Sequence, residues 1–284
     1  MSNIIDGKSI SAKVKEEVAK GVKSLTKKGI NAGLAVVIVG DNQASRVYVN
    51  SKKKACAECG IASYEYALDE GISEQELLDL VSQLNDDDRV SGILVQLPLP
   101  KHINEERIIE AISPRKDVDA FHAVNVGKIM IGNFSFLPCT PAGVMELLAS
   151  TGVDITGKEC VVIGRSNIVG KPMAMLLLHK SATVTICHSR TVDLASVCKR
   201  ADILVSAVGI ADFVTADMVK DGAIVIDVGM NRNHEGKLCG DVDFDEVKKK
   251  TSYITPVPGG VGPMTIAMLM KNTLTAAKEQ NIRL

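Results

Sequence analysis

Tyr48 and the three lysines that follow it have the residue types and the spacing for proton chemistry on a helix. At about 100° per residue, Lys52 lies about 40° from Tyr48 around the helix, whereas Lys53 and Lys54 lie at about 140° and about −120°. The stripe around Tyr48 is otherwise made of small or apolar residues: Ser51, Ala55, Cys56 and Cys59. The pattern predicts that Lys52 points into the protein and that its two neighbours face solvent.

The inward position predicted for Lys52 restricts its chemistry. A buried ammonium must be paired, must reach solvent along its own stem, or must lose its proton. Desolvation lowers the pKa of a lysine, which favours a base that works near neutral pH. Tyr48 is suited to bond this amine or to stack on a planar ligand, and a plain core aromatic remains its alternative.

Tyr48 and Lys52 also match the Tyr-x-x-x-Lys signature of short-chain dehydrogenases, in which the tyrosine protonates a carbonyl. In that family a glycine-rich turn opens the chain and the pair follows it. Here the pair precedes the glycine turn at Gly164. The chain order argues against this interpretation.

Two further stretches place polar groups beside a predicted strand. The apolar run from Gly92 ends at Gln96, before two prolines, and open α/β sheets bind ligands at such strand ends. The Gln96 amide can accept a bond from a lysine and donate one to a substrate, although a turn-capping role is the alternative. In residues 116–122, an extended chain would place Asp117 and Asp119 on one face, where one carboxylate would bind a ring N–H and an amino group; surface acids are the alternative.

Residues 160–179 have the pattern of a strand, a tight turn and a helix, which suits phosphate binding. Gly164 and Gly170 permit close backbone approach, and Pro172 is tolerated only in the first turn of the helix. The run differs from the standard G-x-G-x-x-G sequence, with Arg165 and Ser166 between the glycines.

The next predicted strand, 183–187, ends in His188-Ser189-Arg190 rather than in an acid that would bind an NAD ribose. A hydroxyl at Ser189 and guanidinium groups at Arg165 and Arg190 favour the 2′-phosphate of NADP. A solvated surface position is the alternative for Arg190. A later loop, 256–263, contains Pro258 and Gly259 and is suited to press bare backbone against a flat ligand.

The elements that must position these groups alternate between strands and helices, which is typical of an α/β protein. We predict two domains, each with a mostly parallel sheet flanked by helices, and the second is Rossmann-like and binds NADP. Residues 1–139, joined by a C-terminal helix at about 264–284, form the first domain, and residues 140–263 form the second. The predicted strands are 34–39, 61–67, 92–97, 159–163, 183–187, 203–207, 223–228 and 252–254. The predicted helices are 9–28, 43–59, 74–85, 104–111, 141–150 and 264–282.

Composition narrows the function class. The chain has 284 residues, a formal net charge of −1 and scattered basic residues, so nucleic acid is not an expected partner. It has neither a signal-peptide pattern nor an apolar run long enough to span a membrane, so we expect a cytoplasmic protein with no membrane partner. Seven cysteines without paired spacing fit a reducing compartment. Cys56 and Cys59 lack a second ligand pair for zinc, so we expect them in the core and expect no metal.

Taken together, these motifs resemble the bifunctional methylenetetrahydrofolate dehydrogenase/cyclohydrolase family over nearly the whole chain. The resemblance implies NADP-dependent oxidation of 5,10-methylene-tetrahydrofolate, then hydrolysis of the methenyl product to 10-formyl-tetrahydrofolate. It also implies a homodimer. The matching segments are YVNSK (48–52), GILVQLPLP (92–100), KDVDAFH (116–122), PCTPAG (138–143), GRSNIVGKP (164–172), AIVIDVG (223–229) and YITPVPGGVGPMT (253–265).

The resemblance also implies residue roles. Lys52 matches the family's essential lysine, which activates water or shuttles protons in the hydrolysis, Gln96 tunes it, and Tyr48 lines the same pocket. Asp119 matches the pterin anchor. The remaining matches are substrate-loop positions Pro258 and Gly259, and NADP contacts Gly164, Arg165, Ser166 and Ser189.

The chain departs from the family pattern at two positions. Ala120 stands where glycine is common, and Met230 stands where isoleucine is common near the nicotinamide. Both departures bear on pocket shape rather than on a reacting group.

Two rival functions remain open at this point: an NADP dehydrogenase for another planar substrate, and a nucleotide-sensing protein without turnover. Lys52 on a packing face favours catalysis over sensing.

Overall fold

The computed structural model describes residues 2–281, without the side chains of residues 43–45. The strands are β1 (Asn3–Ile4), β2 (Gly33–Val39), β3 (Ala62–Leu68), β4 (Gly92–Val95), β5 (Glu159–Ile163), β6 (Thr183–Cys187), β7 (Ile203–Ser206), β8 (Ile224–Asp227), β9 (Asn231–Arg232), β10 (Leu238–Cys239) and β11 (Tyr253–Ile254). The helices are α1 (Gly7–Thr26), α2 (Gln43–Cys59), α3 (Glu74–Asp86), α4 (Glu105–Ala111), α5 (Ala123–Met130), α6 (Cys139–Ser150), α7 (Gly170–His179), α8 (Leu194–Cys198), α9 (Phe244–Val247) and α10 (Val261–Asn281).

The contacts within the chain group into two compact units. One comprises Ala12–Cys139 with Ile266–Leu284 and contains Lys52; we call it the lysine unit. The other comprises Met1–Ser11 with Thr140–Thr265 and contains the turn at Gly164; we call it the turn unit.

The sheet of the lysine unit is parallel and has the strand order β3-β2-β4. Its central strand β2 has the sequence GLAVVIV and is buried along its whole length, as expected for a parallel strand covered on both faces. The ladder continues one residue beyond β4, where the Gln96 N–H donates to the Val37 carbonyl at 2.8 Å. This bond fixes the backbone of Gln96 at the carboxyl end of the sheet.

The C-terminal part of α10 belongs to the lysine unit. Asn272 donates through Nδ2 to the carbonyls of Val118 and Leu137, each at 2.8 Å. Gln280 donates to the Ser91 carbonyl, also at 2.8 Å. Residue 282, where the sequence pattern ends the last helix, lies outside the described residues.

The turn unit contains a six-stranded parallel sheet in the order β1-β11-β8-β7-β5-β6, and β9 and β10 form a separate antiparallel pair. Strands β5 and β6 are neighbours, as are β7 and β8. The predicted α/β class with parallel sheets and flanking helices is confirmed. In the part of the chain that the structure describes, no helix has the length and apolar character needed to cross a membrane.

The sequence pattern missed helix α5. Its N-cap His122 accepts the Val124 N–H through Nδ1 at 3.0 Å, which is an uncommon cap. Only Asn125 and Ile129 are buried among its residues. The helix is only eight residues long, and its apolar residues Val124, Val126 and Met130 are exposed, so its apolar pattern does not mark a packing face.

The extended segment that we predicted around Asp117 and Asp119 is instead a tight turn. The N–H of Val118 donates to the Lys116 carbonyl, and the N–H of Ala120 donates to the Asp117 carbonyl. Ala120 closes this turn in the left-handed region, with φ of 57°, and is fully buried. This backbone conformation is one that glycine adopts without steric cost.

Ala120→Gly tests this strain. Relief of the left-handed strain should raise the free energy of unfolding by about 1 to 2 kcal/mol. Loss of the buried methyl group and the greater flexibility of the unfolded chain should lower it again by most of that amount. We expect the free energy of unfolding in urea to change by less than about 1 kcal/mol. Ala120→Val, which adds a branched side chain at the same φ, should cost more than about 2 kcal/mol. Equal stability of the two variants would contradict this account.

Candidate active site

Lys52 lies on the buried face of α2, with 8% of its surface exposed. Lys53 and Lys54 are exposed, so the predicted division of the three lysines is confirmed. Cys56 and Cys59 are fully buried in the core, as predicted. Helix α2 therefore directs the amine of Lys52 inward, on the same face as the two buried cysteines.

Gln96 supplies the partner of this amine. Nζ of Lys52 donates to Oε1 of Gln96 at 2.7 Å, and Nε2 of Gln96 donates to the Leu97 carbonyl at 2.7 Å. The second bond fixes which way the amide points, so its oxygen faces Lys52. The half-buried ring of Tyr48 lies one turn before Lys52 on the same helix.

Asp119 and Cys139 complete the surroundings of Lys52. Sγ of Cys139 donates to Oδ1 of Asp119 at 3.5 Å and to the Val118 carbonyl at 3.6 Å. Nδ2 of Asn272 reaches the same sulfur at 3.6 Å. The side chains of Lys52, Gln96, Asp119 and Cys139 therefore form one polar cluster in the lysine unit, and we call it the lysine cluster.

Burial sets the protonation in the lysine cluster. Burial lowers the pKa of Lys52, and the charge of Asp119 partly opposes this. Burial raises the pKa of Asp119, whereas the charge of Lys52 lowers it. The pKa of the buried Cys139 thiol is raised well above its usual value by burial and by Asp119. Burial thus disfavours the charge on each of the three groups, which leaves Lys52 able to take up a proton from a bound water.

Asp117 has a different task from Asp119. Its Oδ2 accepts the His122 N–H at 2.9 Å and Nδ2 of Asn125 at 2.8 Å. The carboxylate is buried and ties the start of α5 to the turn that carries Asp119. Only the second acid of the pair belongs to the lysine cluster, because the turn directs the two side chains to different partners.

The turn unit carries the glycine turn between β5 and α7. Gly164 has φ of 125°, and a Cβ on it would lie 2.5 Å from the Ala207 carbonyl oxygen. A Cβ on Gly170 would lie 2.1 Å from the Gly164 carbonyl oxygen. Pro172 is the third residue of α7 and so lies in its first turn, as predicted. Only glycine fits these two positions, because the chain's own backbone fills the space that a Cβ would need. A tight glycine turn followed by a helix N-terminus is an arrangement that can bind phosphate.

Ser166 uses its hydroxyl inside this turn. Its Oγ accepts the N–H of Val169 at 3.1 Å and that of Gly170 at 3.3 Å. Two of the donors at the start of α7 are therefore occupied by the chain itself. Arg165 and Ser166 are exposed at the carboxyl end of β5.

The neighbouring strand β6 ends beside this turn. The Gly164 N–H donates to the Cys187 carbonyl at 2.9 Å, so the loops after β5 and β6 leave the sheet together. His188 holds the second loop as a turn, in which its Nδ1 accepts the Arg190 N–H at 3.1 Å. Ser189 and Arg190 are exposed. The structure therefore brings the candidate phosphate-binding residues together at the carboxyl end of the sheet.

The remaining predicted residues lie in two other loops of the turn unit. Met230 follows β8 and is 47% exposed, and its Cε lies 3.5 Å from the position of a Cβ built on Gly262. Pro258 follows a cis peptide bond, and Gly259 has φ of 109°.

Sequence reasoning assigned no role to Cys139 or to Asn272. Cys139 stands inside the PCTPAG segment, so the motif contained a signal for it. Asn272 had none, because it comes from a helix far along the chain and only the folded lysine unit brings it to Val118 and Cys139.

Comparison with known proteins agrees with this geometry. Residues 5–119 match the family model described as tetrahydrofolate dehydrogenase/cyclohydrolase, catalytic domain, and residues 138–281 match the NAD(P)-binding domain of the same family. The bifunctional protein FolD of Acetivibrio thermocellus is 66% identical over 279 residues, with 98% of each chain covered. That of Listeria innocua is 61% identical, also with 98% of each chain covered.

Solved structures show the same similarity. The bifunctional FolD dehydrogenase/cyclohydrolase of Campylobacter jejuni superposes with a TM-score of 0.97 at 56% identity, covering 99% of this chain and 100% of that one. The Trypanosoma brucei enzyme, solved with NADP cofactor and an inhibitor, has a TM-score of 0.94 at 42% identity, with 98% of each chain covered.

Lys52→Met tests the cost of the buried amine. The folded-state pKa of Lys52 lies below its usual 10.5, so the unfolded chain binds more protons between the two values and parent stability rises with pH there. At neutral pH the variant should therefore be more stable than the parent, by about 1 kcal/mol. Its advantage should shrink as the pH approaches 10.5. Urea unfolding at several pH values measures this.

Lys53→Met is the matched control, because its side chain is 63% exposed and forms only a 3.6 Å ion pair with Glu65. We expect a change below about 0.5 kcal/mol at every pH. A Lys52→Met variant that is clearly less stable than the parent at neutral pH would mean that the lysine cluster stabilises the charged amine.

Proposed function

The chain belongs to the tetrahydrofolate dehydrogenase/cyclohydrolase family, and on that basis we propose how its residues carry out the two reactions of the family. The enzyme is an NADP-dependent methylenetetrahydrofolate dehydrogenase and a methenyltetrahydrofolate cyclohydrolase of one-carbon metabolism. The observation that carries the proposed residue roles is the buried Lys52 amine bonded to Gln96 within the lysine cluster.

In the hydrolysis, Lys52 takes the proton of the attacking water. A water oxygen bonds to the methenyl carbon as one of its protons passes to Nζ. Lys52 then returns this proton to N5 as the carbon–N5 bond breaks. The remaining hydroxyl proton is released to solvent, which leaves the formyl group on N10 and Lys52 neutral again. The neutral amine that burial favours is the form that can accept this proton. Gln96 keeps the Nζ lone pair oriented because its oxygen receives one N–H of the amine.

Asp119 and Tyr48 hold the folate. Asp119 anchors the pterin through its carboxylate, which is suited to accept a ring N–H and an amino N–H. Its bond from Cys139 sets the direction of Oδ1. Tyr48 lines the pocket one helical turn from Lys52 and offers a flat apolar face to the pterin. By their match to the family motif, we also propose Pro258 and Gly259 as substrate-loop residues.

NADP, when bound, supplies the hydride acceptor for the dehydrogenase reaction. The turn at Gly164 and Gly170 requires glycine because a Cβ at either position would collide with the chain's own backbone, and tight glycine turns at the start of a helix are typical pyrophosphate sites. We propose that Gly164, Arg165 and Ser166 hold the phosphates. Ser189 and Arg190 receive the 2′-phosphate, and Met230 lies against the nicotinamide. These residues bind and orient, and none of them needs to exchange a proton.

We propose that the lysine unit is the folate-binding and catalytic domain and that the turn unit is the NADP-binding domain. The sequence predicted residues 1–139 with about 264–284 for the first domain and residues 140–263 for the second. The residues before Ala12 group instead with the turn unit, because β1 pairs with β11 in its sheet. We also place the enzyme in the cytoplasm, because its seven cysteines are free thiols and suit a reducing compartment.

We further propose a homodimer, which the outer strand β6 supports. This strand has the sequence TVTIC, without charge, and Ile186 on it is 37% exposed. An uncharged outer strand is a template for pairing with a second chain. Light scattering should give twice the 30.3 kDa chain mass, and Ile186→Lys should shift the protein toward the monomer. A monomeric parent would refute the proposal.

Activity with methylene-tetrahydrofolate and NADP tests the function directly, followed by methenyl and NADPH absorbance. Lys52→Met should slow methenyl hydrolysis by about 10²- to 10⁴-fold, because it removes the base. Lys53→Met should remain within about twofold of the parent, because that lysine faces solvent. Equal losses in the two variants would refute the role of Lys52, and a folded but inactive parent would refute the folate activity.

Ser189→Asp tests the cofactor site. A carboxylate at this position would repel the 2′-phosphate, so we expect the KM for NADP to rise by on the order of tenfold or more. The KM for NAD, which lacks this phosphate, should rise far less. Ser189→Ala separates the loss of the hydroxyl from the added charge. An unchanged NADP preference in the aspartate variant would show that Ser189 does not contact the phosphate.

A further inference from the structure

Two buried carboxylates in the turn unit take no part in the roles assigned above. Asp227 ends β8 and is 3% exposed, and Asp241 follows β10 and is fully buried. Among the described residues, neither forms an ion pair with a lysine or an arginine. Buried charges of this kind persist only where neutral donors surround them.

Asp227 binds backbone. Its Oδ1 accepts the N–H of Gly229 and that of Asp241, each at 2.9 Å, and its Oδ2 accepts the Val242 N–H at 3.0 Å. These bonds fix where the backbone of Asp241 stands relative to the end of β8. Burial raises the pKa of Asp227 to about 6, and the charge of Asp241 adds to this effect.

Asp241 binds two loops at once. Its Oδ2 accepts the Ser206 hydroxyl at 3.1 Å and the Val208 N–H at 2.8 Å. Its Oδ1 accepts the Ile210 N–H at 3.1 Å and Nδ2 of Asn231 at 2.9 Å. One carboxylate therefore joins the loop after β7 to the residue that follows Met230.

Two glycines make this approach possible. A Cβ on Gly240 would lie 1.8 Å from Oδ2 of Asp227, and a Cβ on Gly229 would lie 2.1 Å from Oδ1 of Asp241. Any side chain at these positions would displace a carboxylate. The two acids and the two glycines thus form a single fitted arrangement.

This arrangement stands at the carboxyl end of the sheet. The strand order reverses between β5 and β7, and α/β sheets bind dinucleotides at the carboxyl ends of strands at such a point. The loop after β7, which Asp241 holds, borders this point. We propose that Asp241, held in place by Asp227, is a positioning residue that sets the backbone at 208–210 and 229–231 for NADP. The proposal rests on the NADP-binding role of the turn unit.

The chemistry requires a carboxylate at position 241. Four donors converge on it, and a carboxylate accepts at both oxygens. An asparagine has a single acceptor oxygen, which can keep Ile210 and Asn231. The amide nitrogen of the asparagine would then face the Val208 N–H, and two donors cannot form a hydrogen bond. The Ser206 hydroxyl could rotate and accept a hydrogen bond from this amide nitrogen. Asp241→Asn should therefore release the backbone at Val208 and leave most of the fold in place.

The experiment compares NADP binding with hydrolysis in the same variant. Asp241→Asn should raise the NADP dissociation constant, measured by calorimetry, by about tenfold or more. Methenyl hydrolysis without NADP should stay within about twofold of the parent, because the lysine cluster lies in the other unit. The KM for NADP should rise with the dissociation constant. All measurements are made well below the thermal midpoint of each protein.

Asp243→Asn is the matched control. Asp243 lies two residues away and caps α9 by accepting the Glu246 N–H, a task that asparagine performs equally well. Its NADP affinity should match that of the parent. If Asp241→Asn does not fold, Asn231→Ala removes one donor from Oδ1 and should raise the dissociation constant by about threefold or more.

Two outcomes would overturn the proposal. One is an NADP dissociation constant in the folded Asp241→Asn or Asn231→Ala variant that stays within twofold of the parent. The other is a loss of hydrolysis by the same factor as NADP binding, which would indicate general structural damage. Parent protein that binds NADP without oxidising methylene-tetrahydrofolate would instead refute the proposed activity, and calorimetry would still decide the role of Asp241.

Discussion

The burial of one amine, Lys52, constrains the rest of the lysine unit. An ammonium taken out of water costs several kcal/mol unless other groups receive its protons or oppose its charge. Gln96, the residue after strand β4, therefore faces the amine, with its amide oxygen 2.7 Å from Nζ. The turn after α4 brings Asp119 to the same place, and Asn272 of α10 donates to the Val118 carbonyl of this turn. Three separate stretches of chain thus contribute to the surroundings of one amine.

The two units surround their buried polar groups in different ways. In the lysine cluster, burial lowers the pKa of Lys52 and raises that of Asp119, which brings the two pKa values closer together. In the turn unit, Asp241 is surrounded by four donors, two of them backbone N–H groups. These bonds hold the loop after β7 and the residue after Met230 in place. The first arrangement suits proton transfer, and the second suits the positioning of backbone.

Most of the fold could be predicted from the sequence because its strands are short apolar runs and its helices have a clear period. The inward face of α2 followed from spacing alone, since Lys52 and its two neighbours point in three directions on any helix. Helix α5 could not be predicted in this way, because it buries too few residues. The prediction of an extended segment at Asp117 was wrong for a related reason. The conformation of this turn depends on the bonds that Asp117 accepts from His122 and Asn125, and the local sequence pattern does not reveal these bonds.

The residues that lie in sequence motifs could be predicted as site residues, whereas the residues that hold them in position could not. Gln96 could be placed because a proline-terminated apolar strand fixes its end. Asn272, Asp241 and the role of Gly240 depend on contacts between residues distant in the chain, or on the exact approach of backbone to a side chain. A single sequence shows residue types and their spacing, and contacts between distant residues leave no recognisable pattern in either.

The thiol of Cys139 has a consequence for the durability of the enzyme. Only thiolates react readily with alkylating agents and peroxides, and Cys139 is buried with its pKa raised well above the usual value by its apolar surroundings and by Asp119. A sulfur atom can therefore serve next to the reacting groups as a weak, neutral hydrogen-bond donor. The centre keeps a cysteine without acquiring the sensitivity to oxidative inactivation that cysteine usually brings.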